Sequence, residues 1–246
     1  MRNVKAIFKK QIKNTVKSPE TLIQFIIFPL LAFVMLSVMD MDFEGVPEDI
    51  VELLTGSMPN MVTMQATIFA GMGLIPIVVG IISEDIEKKS LRFLMMAGVK
   101  PMSYLIGVTS VVFFVSIFSS AAFSLIGGFR GQDFWIFTAA MMSSVTASIM
   151  VGAIIGVLST HQQTAQGLAM PIALVLGFGP MMAQFNDNIA RFLHVFYTQQ
   201  LNLVADYLSH GVADTPLWQS FAIIWANVAV LGVLFALVYA RKGLKN

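Results

Sequence analysis

The 246-residue chain contains no cysteine, which excludes a disulfide framework, a thiolate nucleophile and a cysteine-ligated metal together. Charge is also scarce: 12% of residues are charged, against about 25% in soluble domains. The only histidines are His161, His194 and His210, without H-E-x-x-H spacing, and no GxSxG elbow occurs. An intramembrane enzyme has no constellation to work with here, so no catalytic residue and no metal site is assigned. No Gly-Lys dipeptide is present, so the chain lacks the phosphate loop ending in Gly-Lys-Ser/Thr that an ATP-hydrolysing engine needs. Internal repeats, low-complexity tracts and N-x-S/T acceptors are absent too.

What remains is apolar. Hydrophobic residues make up 57% of the chain, and the mean hydropathy is +0.78. Six uncharged windows approach the ~20 residues that cross ~30 Å of hydrocarbon. They lie near residues 22–39, 61–82, 103–126, 134–158, 167–184 and 218–240. In lipid every backbone group must be bonded internally, and these runs are too long and too uniformly apolar for barrel strands. The expectation is an all-α integral membrane protein, with one domain over residues 1–246 and six transmembrane helices.

Charge distribution orients it. Six Lys/Arg precede the first window, four follow the second (Lys88, Lys89, Arg92, Lys100) and three follow the sixth, thirteen of fifteen in all. The positive-inside rule then places both termini in the cytoplasm. The loop after the first window carries Asp40, Asp42, Glu44, Glu48, Asp49 and Glu52 without Lys or Arg and should face outward. With no A-x-A cleavage site before that loop, the first window reads as a retained span rather than a signal peptide.

Residues 1–17 read as a basic amphipathic helix in the membrane interface, with Val4, Ile7, Phe8, Ile12 and Val16 on one face among lysines. Ser18-Pro19-Glu20 supplies a helix start, and Pro29 predicts a kink or local opening inside span one. A second short helix is predicted near 84–98. Leu91, Leu94, Met95 and Gly98 follow i, i+3, i+4, i+7 spacing, with Lys88, Lys89 and Arg92 on other faces, and Gly98 and Pro101 end it. It is too short to span and should lie on the cytoplasmic surface. Residues 186–215 mix apolar residues with amides and charges, and predict an amphipathic hairpin on or slightly within the outer leaflet.

Three stretches in order, KSPETLIQFIIFPLL at 17–31, EDIEKKSLRFLMMAGVKPMSYLIG at 84–107, and PIALVLGFGPMMAQF through FYTQQLNLVADYL, resemble the ABC type-2 permease family. The resemblance covers nearly the whole chain, although Asp85-Ile86 stands where a basic residue often follows the first Glu. It implies the membrane subunit of an ATP-driven exporter in a cytoplasmic (inner) membrane, multi-pass, working as a homodimer or related heterodimer of permeases on an ATP-binding subunit dimer. ATP and magnesium would reside in that partner, with no cofactor bound directly by this chain. By the same resemblance Glu84, Asp85, Glu87, Lys88, Leu91, Leu94, Met95, Gly98 and Pro101 belong to the coupling helix and its ends, where the ATPase makes contact. Independently of family, an apolar stripe ringed by charges suits a partner groove.

The alternatives are an ion-coupled secondary transporter and a non-transporting membrane anchor. Secondary transporters commonly place ionisable groups at mid-membrane, and the six windows contain none. This weighs against proton coupling more than against sodium, which backbone carbonyls can hold. For a substrate pathway the candidates are Gln24, Gln65 and Asn227, with Phe25 and Phe28 adding aromatic surface near the Pro29 kink; helix–helix bonding is the competing role for the amides. An uncharged path suits a hydrophobic or amphipathic cargo such as a drug, lipid or apolar peptide. Partners otherwise reduce to membrane lipids, and nothing points to nucleic acid. Met58, Met61 and Met64 have thioethers at Cu(I)-compatible spacing, but with 17 methionines across the spans they read as packing. Gly71-Met72-Gly73 and the GxxxG of Gly152 and Gly156 predict close helix approach.

Overall fold

The computed structural model describes residues 19–39, 58–90, 93, 96, 101–211 and 215–243, and every element among them is helical. The expected interfacial helix at 1–17, and Leu91, Leu94, Met95 and Gly98, lie outside the described residues. Five helices are long and apolar enough to cross a membrane, as in a multi-pass all-α membrane protein.

Helix α1 (Pro19–Met39) opens on its proline, at a position where the missing N–H costs nothing. Pro29 has no N–H to give to the carbonyl of Phe25, one turn back, and Ser119 of α4 (Pro101–Ile126) donates to that carbonyl at 3.1 Å. The helix runs unbroken past Pro29, and a neighbouring helix supplies a donor to the carbonyl that the proline cannot serve. Ser119→Ala should therefore lower the melting midpoint in detergent by the equivalent of about 1 kcal/mol. An unchanged midpoint would mean that the carbonyl gains nothing from Ser119.

The most deeply buried rod is composite. Helix α2 (Met58–Ile68) passes through a π turn (Phe69–Gly73) into α3 (Leu74–Glu87), with the Leu74 N–H reaching back five residues to the Phe69 carbonyl. Pro76 has no N–H for the preceding turn, so the regular ladder is already interrupted where the wider turn occurs. The rod continues through Glu87, five residues past the window that ends at 82, and turns at Lys88 and Lys89, where Lys89 adopts a left-handed φ of 57°. Glu84, Asp85 and Glu87 thus belong to the last turn of this helix, which corrects the expectation of a separate helix beginning near 84. No glycine or proline stands between Ile81 and Lys88, and glutamate sustains a helix well.

Helix α5 (Gln132–Leu158) is the hub, packing on α3, α4, α9 (Leu217–Gly243) and α8 (Tyr197–His210). Its GxxxG meets α3 closely: a Cβ would lie 2.8 Å from Val78 Cβ at Gly152 and 2.9 Å from Ile82 Cβ at Gly156. On the other side of the rod, Gly71 packs backbone to backbone against Gly177 of α6 (Gln162–Ala183). Both predicted close approaches occur.

Helix α7 (Asp187–Leu193) is capped by the Asn186 side chain, which accepts from the N–H groups of Asn188 and Ile189. The hairpin it forms with α8 sits deeper than the sequence suggested. Asn227, ten residues and about 15 Å into α9, donates to the Val195 carbonyl in the α7–α8 turn at 2.8 Å. From there α8 runs back toward the start of α9, antiparallel to α9. Its Tyr197, Thr198, Gln199, Gln200, Leu201 and Asn202 are buried against protein rather than laid on a leaflet. Polar residues are tolerated at that depth because helices surround them.

Candidate functional site: the acidic end of the central rod

The last turn of α3 carries Glu84, Asp85 and Glu87 and ties three helices together. Asp85 accepts a hydrogen bond from the buried Tyr104 hydroxyl of α4 at 3.0 Å. Glu87 reaches the first turn of α6, where its carboxylate accepts from the Gln162 N–H at 2.9 Å and lies 3.9 Å from His161 Nδ1. His161 precedes α6 without capping it through its own side chain, so a carboxylate from another helix satisfies one orphan donor at that positive helix end. Glu84 pairs with Lys88 one turn on, and this hydrogen bond, with the carboxylate charge behind it, raises the lysine above its ordinary value. That pair is exposed and contributes little stability. Pro101 opens α4, whose Tyr104 lies one turn on, so the segment between α3 and α4 leaves and returns beside this acidic turn.

Further along α3, Gln166 of α6 donates to the Pro76 carbonyl at 2.9 Å. At the π turn, Ser148 Oγ lies 2.6 Å from the Ala70 carbonyl and 2.9 Å from the Tyr197 hydroxyl. With its one proton given to the carbonyl, Ser148 accepts from Tyr197. A continuous helix therefore runs from this buried contact with α8 to the acidic turn.

The pathway candidates fall into two places. Phe25 and Phe28 both set their edges against Phe69, at centroid distances of 5.8 and 5.7 Å, and Gln65 donates to Met35 Sδ at 3.1 Å, all along α1 and the rod. Gln24 is also on α1, and its buried Oε1 has no partner among the described residues. Asn227 is elsewhere, pinning the α7–α8 turn beside an open groove of about 480 Å³ lined by Val151, Pro171, Val175, Phe196 and Tyr197 among others. The sequence reading met Tyr104 only as the tyrosine entering span three in the stretch 84–107, and did not single out Ser148 or Tyr197. The cluster of hydroxyl residues Ser143, Ser144, Thr146 and Ser148 on an uncharged stretch of α5 was the available signal. Among the described residues no group of three His, Asp or Glu is placed to hold a metal.

No family model matches the chain, and no curated protein matches it.

Proposed function

We propose that this chain is the permease subunit of an ATP-driven exporter of the ABC type-2 kind, with six spans, both termini cytoplasmic, in a cytoplasmic membrane. Two permeases, identical or related, sit on a dimer of ATP-binding subunits that hold ATP and magnesium. The cargo is hydrophobic or amphipathic. The observation that carries the reading is the clasp at the end of α3: one acidic turn holds α4 through Asp85 and α6 through Glu87, so a displacement of the adjacent segment pulls on three helices at once. A partner that changes shape on ATP hydrolysis needs such a handle. The groove between α6 and α9, apolar apart from Asn227 and the Tyr197 hydroxyl, supports lateral entry of an apolar cargo.

Purification of the tagged protein from its native host in mild detergent tests this. The expected result is an ATP-binding subunit at about one per permease, cross-linked by Met95→Cys, a unique thiol in a chain without cysteine. Recovery with no ATPase, under conditions where ABC complexes survive, would overturn the reading in favour of a secondary transporter or anchor. Leu94→Asp should leave membrane insertion intact and reduce cargo-stimulated ATP hydrolysis about tenfold or more, the scale of an interface anchor. Unchanged coupling would remove residues 84–98 from the contact.

A further inference from the structure

The open groove beside Asn227, at about 480 Å³, falls within the ~300–1,000 Å³ of small-molecule sites. Pro171 and Val175 of α6, Phe196 and Tyr197 at the start of α8, and Leu231 of α9 line it. Of its two polar side chains, Tyr197 gives its hydroxyl proton to Ser148. Asn227 is oriented by what it touches: its amide nitrogen lies 2.8 Å from two carbonyls, those of Val195 and Ile223, and only the nitrogen end of an amide can face them. Both N–H bonds are thereby used, and the oxygen turns elsewhere. No described residue donates to that oxygen, and it is not among the enclosed atoms that lack a partner, so it can be reached from outside. The groove therefore offers one acceptor in an apolar lining.

Asn227 stands about 15 Å along α9, half of ~30 Å of hydrocarbon, where an unmatched acceptor is costly. A bilayer phospholipid keeps its headgroup at the surface and brings only a chain to that depth. An ammonium would be uncompensated, because no acid lines the groove, and a carboxylate would set lone pairs against the Asn227 oxygen. An amide could answer with its N–H, but it carries a carbonyl for which no lining side chain has a donor left. A hydroxyl donates from a single small atom. We propose that this groove binds a neutral amphiphile, with its hydroxyl donating to Asn227 Oδ1 and its hydrocarbon along Pro171, Val175 and Leu231. That such an amphiphile is the cargo rests on the exporter reading; the binding itself does not.

Photolabelling of the wild-type protein in lipid nanodiscs tests it with two probes: a long-chain 1-alkanol carrying a mid-chain diazirine, and its methyl ether, which keeps the oxygen and loses the donor. Peptide mass spectrometry reads labelling of α6 and α9 relative to α1, which exposes apolar residues and packs on α2 and α4. The alcohol's ratio should exceed the ether's about fivefold, the scale of one hydrogen bond. Equal ratios would overturn the proposal, since the groove would then take chains without using Asn227. Labelling of α6 and α9 no stronger than that of α1 with either probe would overturn it as well. Val175→Trp fills the groove from an exposed position on α6 and leaves Asn227 unchanged, so it should abolish the alcohol's excess. An excess that persists there places the label elsewhere and overturns the assignment. Failure to recover an ATPase would remove the cargo role and leave the alcohol-over-ether ratio standing.

Discussion

Gly71→Val should abolish accumulation of folded protein, the largest effect we expect of any single substitution within the bundle. A Cβ at Gly71 would stand 2.4 Å from Gly177 N and 2.6 Å from the Leu176 carbonyl carbon. These are backbone atoms and cannot rotate aside, so α6 would have to separate from the rod along its length. Overpacking of side chains alone costs about 1–3 kcal/mol, and a backbone overlap exceeds that range. Gly232 of α9 is the control, since a Cβ there meets nothing within 4 Å. Gly232→Ala should be neutral or stabilising by up to about 1 kcal/mol from helix propensity. Size-exclusion profiles of fluorescently tagged variants would separate the two. A monodisperse Gly71→Val protein with a wild-type midpoint would refute the packing described for α6.

Ser148→Ala is expected to cost about 2 kcal/mol. The hydroxyl serves two buried groups, the Ala70 carbonyl at the π turn and the Tyr197 hydroxyl, and its loss strands both. Hydrogen bonds between membrane helices average nearer 0.6 kcal/mol than the aqueous figure, which keeps the expectation modest. Tyr197→Phe removes one partner and leaves Ser148 bonded to Ala70, so it should cost less than half as much. Thermal midpoints in one detergent decide the order. Equal effects would show that the serine–carbonyl bond contributes nothing.

Hydropathy located the apolar helices because length and charge exclusion are set by the bilayer, whichever neighbours a helix has. Element ends were less legible. Charges at Glu84, Asp85 and Glu87 mark where α3 leaves the apolar layer, whereas the helix itself stops where Lys89 turns left-handed. The depth of the α7–α8 hairpin was hidden for a related reason: Thr198, Gln199 and Asn202 read as interfacial until helices α2, α5, α6 and α9 are placed around them. Pro29 announced a broken bond, but its remedy, Ser119, lies 90 residues away in sequence and on another helix. Of the candidate site, the acidic cluster was readable from composition. Its attachments to Tyr104 and Gln162 were not, since both depend on which helix ends meet.

The π turn at Phe69–Gly73 also fixes an angular phase. One surplus residue in an α-helix advances everything beyond it by about 100° and 1.5 Å. The face that α2 presents and the face that α3 presents are thus out of step by one position, and it is this offset that lets Gly71 turn to α6 while Val78 and Ile82 turn to α5. The heading of Glu84, Asp85 and Glu87 around the axis is set at the same point, some four turns away. Were the π turn to relax to regular α geometry, the acidic turn would swing around the axis by that angle, so a small change in hydrogen bonding near the centre of the bundle is equivalent to a rotation at its end.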